Sequence, residues 1–309
     1  MRTKLAYLVT GLGVFLIVVA LLAQTYAPSH LKKTPIDADT VTDLSGSAIL
    51  NGPTGFEEFP VLAFRTDHSD SKKSDGDVVV FQTSSCVVRD EGGIDGCVSN
   101  DDPQQRLITA STDTFAADRK TGLAVNNAKY LPAGFLPHAG LNNKWPFDAQ
   151  KKTYPYWDDT IDKAVPAEFS RTDEIDGTEV YVYSVEIDRA PVDIAEGVPG
   201  FYSNSEEVSV EPRTGAIVRD VRKVAQITAD DRPVLNLKLA YTPDEVNESL
   251  GDAVDAADML HMLTVTVPII GYVGGGLLIV LGLLLLLLGG GGSPETTGAR
   301  RRDPEKVLA

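Results

Sequence analysis

The stretch from Leu263 to Leu288, LTVTVPIIGYVGGGLLIVLGLLLLLL, leaves the chain the fewest choices. It contains no charged residue and ends in a run of leucines from Leu283 to Leu288. As a helix it would extend roughly 39 Å, more than the roughly 30 Å hydrocarbon core of a bilayer, so it predicts a tilted transmembrane span. The competing reading, a buried helix of a soluble domain, does not suit an uncharged run of this length. Glu248, Asp252, Asp255 and Asp258 precede it, and Arg300, Arg301 and Arg302 follow it. The positive-inside rule therefore puts the C-terminal tail in the cytoplasm. Pro268 falls in the first turns, where a missing donor costs least, and Gly271 and Gly275 form a G-x-x-x-G pair suited to close packing against another helix.

A second apolar segment, Leu5 to about Ala23, follows Arg2 and Lys4. It reads as an uncleaved anchor rather than a signal peptide. The run is longer than a usual signal core, and its best small-x-small site, Thr25-Tyr26-Ala27, would leave Pro28 next in line. Two spans with both tails cytoplasmic place the middle of the chain outside. The expected order is a cytoplasmic N-terminus at 1–4, an anchor at 5–26, an exterior domain at 27–262, a second span at 263–288 and a basic cytoplasmic tail at 289–309. Both ends are net basic while the whole chain is −16, so the exterior part carries all of the acidic excess. That balance excludes a nucleic-acid binder, whose affinity comes from lysine and arginine. It also disfavours anionic lipid surfaces except through a local patch.

The exterior part reads as short β-rich runs separated by turn formers: 61–64, 78–83, 107–112, 179–187, 207–210, 216–227 and 235–241. Thr178 to Ile187 is the clearest strand, entered through the turn Asp176-Gly177. Val208 to Arg219 is the clearest hairpin, its runs parted by Pro212-Arg213-Thr214-Gly215. The polar tracts 66–77 and 90–102 read as loops. A closing helix is signalled by Thr242 as N-cap, Pro243 at the first position and Glu245 at the third, a capping box, with Val246, Leu250, Ala253, Val254, Ala257 and Leu260 on one face. Gly251 would allow a bend there. The predicted class is α+β, a mainly antiparallel β exterior domain flanked by two transmembrane helices. Cys86 and Cys97, on the oxidising side, are expected to form a disulfide that pins a surface loop; a metal pair would need further ligands, and His68 is distant.

No residue pattern for catalysis emerges. His30, His68, His138 and His261 are scattered, and there is no nucleophile elbow, phosphate loop or dinucleotide fingerprint. Asp37-Ala38-Asp39 and Asp75-Gly76-Asp77 lack the remaining positions of a calcium loop. We therefore expect no catalytic residue, no metal and no cofactor. The one local feature with a binding flavour is the aromatic cluster Trp145, Phe147, Tyr154, Tyr156 and Trp157, which could line a ligand pocket or fill the β core.

Three motifs, KWPFDAQKKTYPYWD at 144–158, EIDGTEVYVY at 174–183 and VEPRTGAIVRD at 210–220, come in this order between two apolar segments. In these motifs and in its layout the chain resembles an actinobacterial family of PorA-like membrane proteins, a domain of unknown function. The resemblance implies an envelope protein concerned with lipid or glycolipid, and it brings no agreed catalytic residues. Two classes of function stay open: an exterior domain that binds or hands over membrane lipid or glycolipid, and a scaffold that binds other envelope membrane proteins. A glycan-processing enzyme is a third, which two facing carboxylates in a cleft would favour.

Overall fold

Both apolar runs are helical in the structure, a computed structural model that describes residues 2–52, 55–195 and 197–289. The arginine-bearing part of the expected basic tail lies outside the described residues. Helix α1 spans Arg2–Thr25 and is followed by a short helix α2, Ala27–Leu31. Helix α3 spans Pro243–His261, and after a π-helical turn at Met262–Thr266 helix α4 spans Val267–Gly289. Both α1 and the helical stretch ending at Leu288 are long and apolar enough to cross a membrane. Helices α1 and α4 form one compact unit, and Ser29–Leu260 forms another.

In the helical unit, small residues decide the packing. Gly282 meets Ala6 and Thr10, Gly275 meets Gly13, and Gly271 meets Leu16 and Ala20, so α1 and α4 run antiparallel. A Cβ on Gly275 would stand 2.6 Å from the Gly13 carbonyl oxygen, and one on Gly13 would stand 2.6 Å from that of Gly275. Backbones this close exchange many dispersion contacts, which matter most where the surroundings are apolar. The Tyr272 hydroxyl adds a hydrogen bond to Gln24 Oε1 at 2.7 Å. The partner of the G-x-x-x-G pair is thus the chain's own first helix.

The other unit is one antiparallel sheet of ten strands in the order β4-β3-β2-β1-β10-β9-β8-β7-β6-β5. The strands are β1 (Asp39–Gly52), β2 (Gly55–Ser69), β3 (Val78–Arg89), β4 (Leu107–Asp118), β5 (Tyr154–Asp158), β6 (Lys163–Ile175), β7 (Thr178–Ala195), β8 (Val198–Val210), β9 (Ile217–Thr228) and β10 (Pro233–Tyr241). Every neighbouring pair is consecutive in the chain except β1 with β10. The turn at Asp176-Gly177 has both φ angles positive, +47° and +81°, the geometry that lets a two-residue turn match strand twist.

Edges β4 and β5 do not pair directly. The connection between them does so in their place: Ala124 bridges Ala117 of β4, Leu123 bridges Leu141, and Leu141 bridges Tyr156 of β5. Backbone hydrogen bonds from Ala124 N–H to the Gly140 carbonyl and from Leu141 N–H to the Pro155 carbonyl, each 2.8 Å, complete the circuit. The sheet is thereby closed on itself through this connection, which meets β4 at Ala116, Ala117 and Asp118 and β5 at Pro155, Tyr156 and Trp157.

Closure gives every strand an inner and an outer face. One inner row runs Ala167, Val185, Glu206, Arg222, Leu239, Gly46, Val61 from β6 to β2. Inner apolar residues form a cluster around Trp145, Tyr183 and Val208 and another around Val61, Ala63, Leu237 and Leu239. On the outside, Leu250 and Ala253 of α3 cover Ile175, Val180 and Val218. The Cys86–Cys97 disulfide is formed, and its loop packs Ile94 and Val98 over Phe64 and Val88.

Several local expectations change. Strands β1, β5 and β6 were not foreseen, because DTVTDLSGSAILNG is rich in turn formers, YPYWD is short and holds a proline, and KAVPAEFSRTDEI carries a proline and several charges. The segment 66–69, expected in a loop, continues β2 because Thr66, Asp67, His68 and Ser69 pair with β3. Thr242 caps α3, accepting from Glu245 N–H at 3.1 Å, but the Glu245 carboxylate does not complete a capping box: its Oε2 accepts from Asp43 N–H of β1 at 3.0 Å.

Candidate functional site

The outward positions of β3 read Val78, Val80, Gln82, Ser84, Cys86, Val88. The two apolar pairs are covered, the first by Leu131 with Val125, Tyr130 and Phe135, the last by the disulfide loop. Between them Gln82 and Ser84 stay exposed. Register carries this gap across three strands, since Thr66 faces Ser84, which faces Thr112, and His68 faces Gln82, which faces Thr114. Two rows of three polar side chains thus make a flat floor. Pro132, Phe135 and Leu136 rise beside it, and the groove so formed has a volume of about 580 Å³.

The floor presents hydroxyl, amide and imidazole groups, each able to donate and accept hydrogen bonds, and the wall offers an apolar face. That combination suits a neutral polyhydroxyl ligand. The His68 ring pairs through Nδ1 with Asp39 on the adjacent strand, which orients it.

Beneath the floor, on the inner face, lie charges. Arg65 donates to both oxygens of Asp67, Nε at 3.0 Å to Oδ2 and Nη2 at 3.2 Å to Oδ1, and Asp67 also accepts from Thr83 at 2.5 Å. Burial works against the Arg65 charge, but Asp67 and Asp159 outweigh it and hold the guanidinium firmly protonated. His138, buried, stacks between Phe115 and Trp157, with ring centroids 5.5 and 4.2 Å away. Its Nε2 is 3.0 Å from Asp113 Oδ2 and its Nδ1 is 2.6 Å from Asn142 Oδ1. Burial lowers the affinity of the imidazole for a proton, yet these two partners raise it above the ordinary histidine value; burial raises the Asp113 carboxyl, and the bond to His138 leaves it lowered. This ion pair ties the closing segment 123–142 to β4.

The five aromatic candidates are brought together, mostly inside the sheet. Trp145 has no exposed surface and stands 5.1 Å from both Tyr156 and Tyr183. Tyr154 and Tyr156 belong to the same buried cluster, and Trp157 is the ring stacked on His138. Phe147 is half-buried with Lys144 Nζ 3.4 Å from its ring centre. Burial pushes the Lys144 amine down to about 7, with Glu211 opposing. None of the five is among the groove residues.

The motifs have structural explanations. Glu211 of VEPRTG is buried and accepts from Arg213 Nε at 2.9 Å, Thr214 N–H at 2.8 Å and Thr214 Oγ1 at 2.7 Å, so the turn closes on its own carboxylate. KWPFDA then docks on that turn by backbone bonds, Trp145 N–H to the Gly215 carbonyl at 2.8 Å and Ala149 N–H to the Pro212 carbonyl at 2.7 Å. Asp158, last in KKTYPYWD, accepts from Thr160 and Ile161 N–H at 3.0 and 3.1 Å and from the Tyr202 hydroxyl at 3.0 Å.

The groove residues were missed in the sequence. The signal that could have found them is the switch along β3 from apolar to polar and back on one face, but it needs the pairing of β2, β3 and β4 to become a surface. Among the described residues there is no group of three or more His, Cys, Asp or Glu side chains fit to hold a metal ion.

An antiparallel β unit joined at both ends to packed apolar helices defines a membrane protein of mixed α and β structure. The match of a family model is consistent with that class. The model described as Porin PorA matches residues 5–284, and this chain belongs to that family. A Porin PorA of Corynebacterium amycolatum is 24% identical over 286 residues, covering 78% of this chain and 67% of the relative.

Proposed function

We propose that this PorA-family protein is held in the cytoplasmic membrane by α1 and α4, with both termini cytoplasmic, and that its β unit binds the polar headgroup of an envelope lipid or glycolipid in the groove over β2, β3 and β4. The groove carries this reading: six hydrogen-bonding side chains in register beside Pro132, Phe135 and Leu136, with Asp113 also in its lining, in a volume typical of ligand sites. Antiparallel helix packing supports the topology, because two antiparallel spans return the chain to the side it left. The outward faces of β6 to β9 bear Arg171, Glu207, Arg219 and Lys223, which suit water and not lipid contact. Handing lipid on to another protein, and scaffolding of other envelope proteins, are further steps that the groove does not require.

The relative's name, porin, speaks for passage of solutes, and the charged groups on the inner face are the feature that favours such a reading. Passage through the sheet would have to get round Trp145, Tyr154 and Tyr183, which pack together there. Headgroup binding needs no such opening, so we place it first.

For topology, Ser71→Cys in intact cells should react with a membrane-impermeant maleimide. A cysteine appended after Ala309 should react only after lysis. The reverse pattern overturns the orientation. For binding, full-length protein in phospholipid nanodiscs should bind a fluorescent glycolipid with a neutral hexose headgroup saturably, in competition with free hexose oligomers. At about 0.5–1.5 kcal/mol per neutral hydrogen bond, Thr112→Val with Gln82→Leu should weaken binding about 5- to 100-fold, with the melting temperature little changed. Saturable binding that free sugar does not compete, or that these variants leave intact, would remove the groove from the account.

A further inference from the structure

Inside the sheet, Glu206 of β8 and Asp220 of β9 are both buried, 3% and 2% exposed, and both lean on one guanidinium. Arg222 serves Asp220 with two hydrogen bonds, Nε to Oδ1 at 3.1 Å and Nη2 to Oδ2. Glu206 receives less: its Oε1 is 3.3 Å from Arg222 Nη2 but not aligned for a hydrogen bond, and its Oε2 accepts from Asn204 Nδ2 at 2.9 Å. The other ionisable groups that act on the cluster are Tyr156 of β5, Tyr202 of β8 and Tyr241 of β10; beyond them Asp158 acts on Tyr202, Glu245 on Tyr241, and Arg65 of β2 on Tyr156 and Tyr241. From β7 the facing residue is Val185. One cation therefore stands against two buried carboxyl groups, and two neighbouring carboxylates in such a place do not both ionise.

We propose that Glu206 and Asp220 hold a single proton between them, seated mainly on Glu206, so that together with Arg222 they form a cluster without net charge on the inner face of the sheet. The arrangement explains why Arg222 spends its two aligned donors on Asp220 and leaves Glu206 Oε1 without a hydrogen bond. Burial first, and then the Asp220 charge and hydrogen bond, push the Glu206 carboxyl up to about 8, against the pull of Arg222 and Asn204. Such a site is a proton reservoir that titrates close to physiological pH, on the inner face beside Val185.

The sign follows from linkage. A carboxyl whose folded-state value is raised contributes stability that is complete below its ordinary value of 4.5 and is lost as pH climbs to the folded value of about 8. Between about pH 5 and about pH 8 the folded chain keeps a proton that the unfolded chain has released. Over that window this site lowers the folding equilibrium constant about tenfold per pH unit. Glu206→Gln, which imitates the protonated acid, removes the dependence.

The test uses the full-length protein in nanodiscs, with denaturant unfolding followed from about pH 5 to about pH 9. The ratio of the variant's folding constant to that of the wild type should rise about tenfold per pH unit up to about pH 8 and then level. Parallel profiles for the two proteins overturn the proposal. An independent reading is the infrared carbonyl band of a protonated carboxylic acid. It should be present in wild type at neutral pH, fade toward alkaline pH and be missing in Glu206→Gln. If Glu206→Gln fails to fold, the wild-type band decides alone, and its absence at neutral pH sinks the shared proton.

Discussion

Gly215→Ala is expected to destabilise the β unit by about 3–5 kcal/mol, one of the largest losses available from a single methyl group in this chain. Two causes combine. The residue has φ of +76°, which alanine adopts at a cost of about 1–2 kcal/mol. A Cβ there would also lie 2.2 Å from the Trp145 carbonyl oxygen and 2.6 Å from that of Pro146. Backbone cannot yield that far without unseating Trp145, whose ring is fully buried and whose backbone N–H donates to the Gly215 carbonyl at 2.8 Å. Gly177→Ala is the control, since it shares a positive φ of +81° but has open space where the Cβ would go. It should cost only about 1–2 kcal/mol. Tryptophan fluorescence in a denaturant titration measures both. Equal losses for the two variants would show that the contact with the Trp145 segment does not matter.

Gly275→Leu is expected to separate α1 from α4. The glycine backbones touch so closely that even a Cβ at 275 would meet the Gly13 carbonyl at 2.6 Å and Ile17 Cγ1 at 2.8 Å. A leucine pushes the helices apart along the whole seam from Gly282 to Gly271, because rigid helices cannot yield at one turn alone. In lipid no hydrophobic force drives them back together, so the lost van der Waals packing is not recovered. Cysteines at Gln24 and Tyr272, whose side chains now share a hydrogen bond, give the readout. A short bifunctional thiol reagent should link them nearly completely in the otherwise native protein and drop to background with Gly275→Leu. Gly276→Leu, at a position with open space around it, should leave the cross-link intact. Undiminished cross-linking in Gly275→Leu would show that small residues do not set this pair.

Local sequence by itself determined the elements whose signals lie within one turn or one strand of each other. An uncharged apolar run has no alternative to helix in lipid, and α1 and α4 followed. Asp176-Gly177 can take two positive φ angles, so β6 and β7 had to turn there, even though β6 itself went unseen. Thr242-Pro243 is a helix start in any context, and α3 begins at it. Cysteines 11 residues apart needed only a modest loop to meet.

What the tertiary structure alone decided are relations between residues far apart in the chain. Propensity misses β1, with glycine and serine at its centre, because Gly46 is selected by the backbone of β10: a Cβ there would sit 1.8 Å from the Lys238 carbonyl oxygen. Closure of the sheet depends on Leu141 reaching Tyr156, a single bridge that no periodicity announces. The aromatic motif looked the same whether it would fill a core or line a pocket, and burial of Trp145 is settled by the turn around Gly215, distant in sequence. The groove was the least legible. Thr66, Gln82, Ser84 and Thr112 are ordinary strand residues singly, and they form a surface only because register aligns them while loops cover the apolar positions on either side. Strand patterns set which side chains share a face; long-range pairing sets which faces meet and which stay open.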